Sequence, residues 1–342
     1  MEDVKKVRDS RFEILRIICM VLIIMHHFAC HGGWTKTSID TTVNQGVLDF
    51  FIIGGKLGVN VFVLISGYFL SQSKFKLKKV LQLIAQILFF SISIYLILLI
   101  FGQTTLNWNS LRCAIFPLNY GNWFMPYYLI MYCLSPFINV IINNIDSKKH
   151  LYLVLFLTIL QIFIPAIFGA TFFSNTAWFI TLYLIAAYIR LYPNKIFDSF
   201  KFNLISFVFL FVLIAVLNIF VGYNAWSTTH LACVCCSITL LLTFKNSKEI
   251  KSNIINIISS TTLGIYLLHD NVLFSPILWK KLLCCPSHFS LPWYQFLLFA
   301  ICCIIIIFIS CFIIDILRQL LFNATYKLFK KIKERKQKPV EK

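Results

Sequence analysis

Glu13, Arg16, His26, His27, Asp49, Lys56, His269, Asp270 and Asp315 all fall inside long apolar runs. An ionisable side chain in hydrocarbon costs several kcal/mol unless it is paired or faces a wet cavity, so each is by default a functional candidate. Arg16 and His27 carry the strongest signal. They stand 11 residues apart, about 1100° around an α-helix and so roughly 20° past three full turns, with His27 about 16 Å further along. Arg16, Met20, Ile23, His27 and His31 then share one stripe. His26 points about 80° away from it, and Glu13, one turn before Arg16, can pair with it. A cation at one end of a stripe and an imidazole toward the other suit proton transfer on a bound molecule, because histidine titrates near about pH 6.5. The alternative is an interfacial Glu13–Arg16 pair beside a histidine satisfied in the core; the shared register favours function. Asp49 and Asp315 lie near the ends of their runs, where snorkelling or capping is expected.

Membrane-spanning helices must position these residues. Hydrophobic residues make up 59% of the 342 residues and charged residues 13%, about half the charge of an ordinary soluble chain. Runs near the length needed to cross a bilayer recur at 12–30, 47–70, 80–101, 122–142, 151–168, 176–192, 204–222, 228–244, 255–279 and 294–317. The expected fold is therefore all-α: a polytopic transmembrane bundle of about ten helices over residues 1–322, followed by a basic tail at 323–342. The first run holds Arg16 and two histidines and lacks a small-residue cleavage site, so it does not read as a signal peptide. No stretch is long and polar enough for a soluble domain.

The net charge of +18 is an orientation signal. Of the 31 basic residues, 25 fall in the N-terminal segment, in the loops after even-numbered spans and in the tail; the alternate loops hold only Lys36, Arg112, Lys280 and Lys281. That asymmetry places both termini in the cytoplasm of a cell-membrane protein and argues against nucleic acid as a partner. The tail, KLFKKIKERKQKPVEK, suits an anionic inner leaflet. The 12 cysteines show no metal-binding spacing, and no metal is expected. Most act as small buried hydrophobes, while Cys30, Cys113, Cys284 and Cys285 lie near the outer side, where pairing is an option. Trp123-Phe124 and Trp178-Phe179 begin two outside-to-inside spans with similar following residues; an interfacial aromatic belt accounts for this echo.

With these features in hand, the chain resembles the membrane-bound acyltransferase family 3. FEILRIICMVLIIMHHF carries the Arg16-to-His27 spacing of that family's opening motif. GKLGVNVFVLISGYFL is similar to its second segment, and KFKLKKVLQL to its basic motif, with Lys76 and Lys79 where arginines are usual. NWFMPYYLIMYCLSPF and STTLGIYLLHDN resemble its fourth-helix and near-C-terminal segments. Lysine offers a point charge where arginine offers a planar fork, so the two lysines are a departure at a phosphate-binding position.

The resemblance implies a membrane O-acyltransferase that moves an acyl group, with acetyl the expected one, from a cytoplasmic acyl-CoA to a hydroxyl of a cell-surface or exported glycan. No cofactor is expected to be bound; acetyl-CoA is the expected co-substrate, and the bilayer and a carbohydrate acceptor are the expected partners. His27 is the expected base, with His269 or Asp270 orienting it and Arg16 and Glu13 completing the catalytic set. Arg16, Lys76 and Lys79 are expected to hold the donor, and Trp123, Tyr266, His269 and Asp270 the substrate. Since spans one and nine both start inside, His27 and His269 reach similar depth and are expected to line one chamber. Intramembrane charges also suit a transporter or flippase, but broken helices in matching halves, the usual mark of transport, are not evident.

Overall fold

The computed structural model describes residues 9–34, 41–168, 174–195, 197–221 and 229–337. Its elements are α1 (Arg11–His31), α2 (Thr41–Leu70), α3 (Leu77–Ile100), the short α4 (Trp108–Ile115) and α5 (Pro117–Tyr120), and α6 (Phe124–Asn143). Then come α7 (Ser147–Thr158), which passes through a π turn into α8 (Ile164–Phe168), α9 (Asn175–Leu191), α10 (Phe200–Val221) and α11 (Leu231–Lys245). The chain closes with α12 (Asn253–Ser260), α13 (Thr262–His269), the single turn α14 (Ser275–Ile277) and α15 (Trp293–Gln337). Among the described residues there is no strand, and the chain forms a polytopic helical membrane bundle.

Among the described residues, seven helices are long and apolar enough to cross a membrane, counting α7 and α8 together. Three expected spans take other forms. The runs at 176–192 and 228–244 become α9, with 17 residues, and α11, with 15. The run at 255–279 is not one helix. It is interrupted at Thr261 and stops at His269, where the Asn271 side chain accepts from the backbone N–H groups of Leu273 and Phe274 and closes a turn; asparagine diverts a chain in this way by mimicking a backbone turn. The last helix runs on past residue 322 to Gln337, so the boundary before the basic tail falls inside a continuous helix.

Helix α1 occupies the centre, in contact with α2, α11, α12, α13 and α15. Its closest neighbour is α2, and glycine permits the approach. A β-carbon on Gly55 would fall 2.2 Å from Cγ of His26, and one on Gly58 would fall 2.9 Å from the carbonyl oxygen of Cys19. Gly54 and Gly58 stand four apart, the small-residue spacing that lets membrane helices pack backbone to backbone.

Register between α1 and α12–α13 is fixed by a staple at Ser10. Its N–H donates to Ile250 O at 2.7 Å, its hydroxyl donates to Asn256 Oδ1 at 3.0 Å, and that hydroxyl accepts from the Ser252 N–H at 2.9 Å. His27 lies 17 residues beyond Ser10 (27 − 10), and His269 lies 17 beyond Ser252 (269 − 252). Both therefore rise about 26 Å from the staple. On the opposite side α13 abuts α15 at Gly264, where an added β-carbon would meet Asp315. Asp315 does not snorkel as expected: it is fully buried and paired with Arg318 Nε at 2.6 Å, with Gln319 donating at 2.8 Å. Asp49 is half-buried and accepts from Gln45 within α2.

Candidate active site

A chamber of about 980 Å³ runs along α1. Glu13 and Arg16 line one end, with Ser259 and Ser260 of α12; Met20 and Ile23 follow; His26, His27 and His31 line the other end. From Glu13 to His31 is 18 residues of helix, about 27 Å. The remaining wall comes from Lys56 and Ser66 of α2, Leu83 of α3, Trp123 before α6, Tyr128 of α6, Tyr266 of α13, and Asp270.

His27 and His269 meet directly: Nδ1 of His27 lies 2.9 Å from Nε2 of His269. On its other side, His269 Nδ1 lies 2.6 Å from the carbonyl oxygen of Ile265, one turn back on α13. A carbonyl only accepts, so His269 Nδ1 carries the proton. Nε2 of the neutral ring then holds the lone pair and accepts from Nδ1–H of His27. The lone pair of neutral His27 is left on Nε2. Two hydrogen bonds thus set one tautomer, with the basic nitrogen of His27 turned away from its partner. His269 is fully buried behind His27 and does not line the chamber, which corrects its expected place on the wall with the substrate; His27 and Asp270 do line it.

Of the two expected orienting partners, Asp270 is the one that does not reach His27, although it lines the chamber as expected. Its Oδ1 lies 3.7 Å from His27 Nδ1 and 3.7 Å from His31 Nε2, outside hydrogen-bond range, so His269 orients His27 and Asp270 is a neighbour. Asp270 caps α13, its N–H donating to Tyr266 O at 3.1 Å. The Tyr266 hydroxyl is buried and makes no hydrogen bond within the usual distance.

Arg16 and Glu13 form the expected pair, Nη1 to Oε1 at 2.6 Å, and Glu13 also accepts from the Ser259 hydroxyl. Both face the chamber, Arg16 about three turns and Glu13 about four turns from His27; the structure does not bring them to the same atoms. His26 is turned toward α2 and donates through Nδ1 to Ile52 O at 2.7 Å, although its ring also borders the chamber. Lys76 and Lys79 are exposed at the start of α3 and do not line the chamber. Lys79 stands one turn before Leu83, which does, and so shares its side of the helix.

Trp123 lines the chamber with Lys56 Nζ 4.8 Å from its ring centroid. Trp178 is buried and donates to Asn60 Oδ1 at 3.1 Å. Neither belongs to an interfacial belt, which corrects the reading of the Trp-Phe echo. Lys56, a functional candidate without an assigned role, and Tyr128, which the sequence did not single out, are both wall residues. The signal for Lys56 was present, a lone cation in an apolar run; nothing comparable marked Tyr128, whose hydroxyl lies 3.2 Å from Ser66 Oγ. All 12 cysteines are free.

A family model described as an acyltransferase domain matches residues 9–316, a span that contains every residue of the chamber wall. No curated protein and no solved structure matches the chain. The Arg16–His27 stripe, the buried histidine pair and this match agree, and the chain belongs to acyltransferase family 3, as a membrane acyltransferase.

Proposed function

We propose that the protein transfers an acyl group, acetyl by preference, from a cytoplasmic acyl-CoA to a hydroxyl of a cell-surface or exported glycan, with His27 as general base. The observation that carries this reading is the His27–His269–Ile265 hydrogen-bond chain, which leaves a lone pair on Nε2 of a histidine at the chamber wall. An alcohol is a poor nucleophile at neutral pH, and a base of this type removes its proton as the bond to the acyl carbon forms. The hydroxyl oxygen attacks the thioester carbonyl, and its proton passes to His27 Nε2. The carbon–sulfur bond then breaks, and the thiolate of CoA recovers the proton from the imidazolium. His27 Nδ1–H stays bonded to His269 throughout, so neither step requires the ring to turn.

The negative charge that develops on the carbonyl oxygen needs a donor or cation nearby. Lys56, a cation on the chamber wall near the histidines, is the group suited to it. Arg16, about 16 Å away along α1, takes the donor's arm in this reading, and Lys76 and Lys79 its phosphates as they approach from the cytoplasm. Trp123, Tyr266 and Asp270 offer an aromatic face and polar contacts to a sugar.

Membranes bearing the protein should release acetyl from labelled acetyl-CoA in a glycan-dependent manner. His27→Ala should reduce that rate by about 10²–10⁴-fold, the usual contribution of a general base, at unchanged protein level. His26→Ala should cost less. Full activity of His27→Ala would remove His27 as the base.

A further inference from the structure

Three donor groups gather at the His31 end of the chamber. His27, His31 and Asp270 each offer one ligand atom within 4.8 Å of the others. We propose that they form a binding site for a divalent transition metal of the zinc class, and that the occupied site holds the acyltransferase off. The binding half stands on geometry alone; the regulatory half rests on the reading of His27 as base.

His27 and His31 are spaced i, i+4 on one stripe of α1, the spacing at which two imidazoles on a helix converge on one ion. Their ring centroids are 5.2 Å apart. Asp270 Oδ1 sits between them, 3.7 Å from a nitrogen of each. In a tetrahedral zinc site with bonds of about 2.0–2.2 Å, ligand atoms lie roughly 3.3–3.5 Å apart. Those two edges therefore need to contract by only a few tenths of an ångström. Two imidazoles and one carboxylate leave a fourth position, which can face the chamber. The donor set suits zinc or copper and disfavours magnesium or calcium, which require oxygen ligands. The His31 side chain is 43% exposed, so an ion reaches the site without the bundle opening. Lys56 is the nearby positive charge, held over the Trp123 ring; the Asp270 carboxylate offsets it.

Occupancy and catalysis exclude one another by electron count. A neutral imidazole has one lone pair. In the resting tautomer of His27 it lies on Nε2, because Nδ1 donates to His269. A metal bound through Nδ1 moves the ring proton to Nε2 and breaks the bond to His269; one bound through Nε2 takes the lone pair itself. Either way no base remains.

The full-length protein, purified in detergent and stripped with EDTA, is titrated with Zn²⁺ alone and binding is read by calorimetry. One equivalent should bind, and His31→Ala should weaken it at least about tenfold. Stripped His31→Ala should lose the zinc inhibition that stripped wild type shows, each rate being compared with that of the same protein without zinc. Asp270→Asn, judged by zinc binding only, is the second variant should His31→Ala fold poorly. Equal binding in wild type and both variants would assign the metal to other groups, such as the exposed Cys284 or the half-buried His288, and overturn the site. Transfer at full rate under saturating zinc would overturn the switch. Because zinc binding is read without substrate, failure of the acyl-transfer reading leaves that arm intact.

Discussion

The order of protons along Ile265, His269 and His27 decides which nitrogen can act as a base, and the order is testable. Without His269, Nδ1–H of His27 has no partner, the ring is free to turn, and its proton can occupy either nitrogen. His269→Ala should lower kcat by about 10–100-fold, in line with the loss of an orienting partner behind a reactive histidine, with little change in the donor KM. His269→Gln should recover part of the loss, since its side-chain oxygen can accept the same N–H. A pure KM effect, or a glutamine variant as poor as alanine, would leave His269 a packing residue. Part of this was legible in the sequence: the Arg16–His27 stripe from helical spacing, and the equal depth of His27 and His269. That His269 sits behind His27 instead of lining the chamber with it was not. The tautomer was not, because it depends on a carbonyl at Ile265 that carries no side-chain signature. Nor was the separation of roles, since sharing a stripe does not mean sharing a reaction centre when three helical turns intervene.

At the scale of elements, equal depth depends on the staple that starts α1 and α12 at one level. Ser10→Ala leaves the Ser252 N–H and Asn256 Oδ1 without the hydroxyl they share, at a site where Ser10 is fully buried. Unmet buried polar groups cost about 1–3 kcal/mol. The variant should melt several degrees lower in detergent and lose acyl transfer beyond what its folded fraction explains, because α1 can then slip relative to α13. Ser73→Ala, which removes an exposed hydroxyl bonded to Phe69 O, should change neither quantity. Unaltered melting and activity in Ser10→Ala would show that packing alone sets the register. Long apolar runs were readable as helices because length and hydropathy suffice for a span. The break of the ninth run was not, because an asparagine turn at Asn271 is a local event inside a stretch that remains apolar on average. The close packing of α2 on α1 was written in Gly54 and Gly58 and could have been found from their spacing.

Taken as a whole, the bundle sorts its charges to two ends. Phe12 of α1 stacks on Tyr68 of α2, Asn139 of α6 donates to Leu70 O, and Lys78 lies over Tyr326 of α15. The starts of α1, α3 and α7 and the end of α11 thus bring Arg11, Lys76, Lys79, Lys149 and Lys245 to the Glu13–Arg16 end of the chamber. At the His31 end, Lys280 lies against Gly33 and Lys281 donates to Gln103, with Arg112 stacked on Tyr120 nearby. The positive-inside rule predicts that the Arg16 end faces the cytoplasm, from which the proposed acyl-CoA donor would enter, and that the histidine end faces outside, from which the proposed glycan acceptor would enter. In a cysteine-free background, Asn109→Cys, an exposed position in the loop of Arg112, should react with an impermeant maleimide in intact cells. Ser73→Cys, exposed at the other end, should react only after permeabilisation. The reverse pattern would place Lys76, Lys79 and Arg16 on the side that lacks the proposed donor, and the chamber would then turn its histidine end to the compartment that holds acyl-CoA and its cationic end to the proposed acceptor.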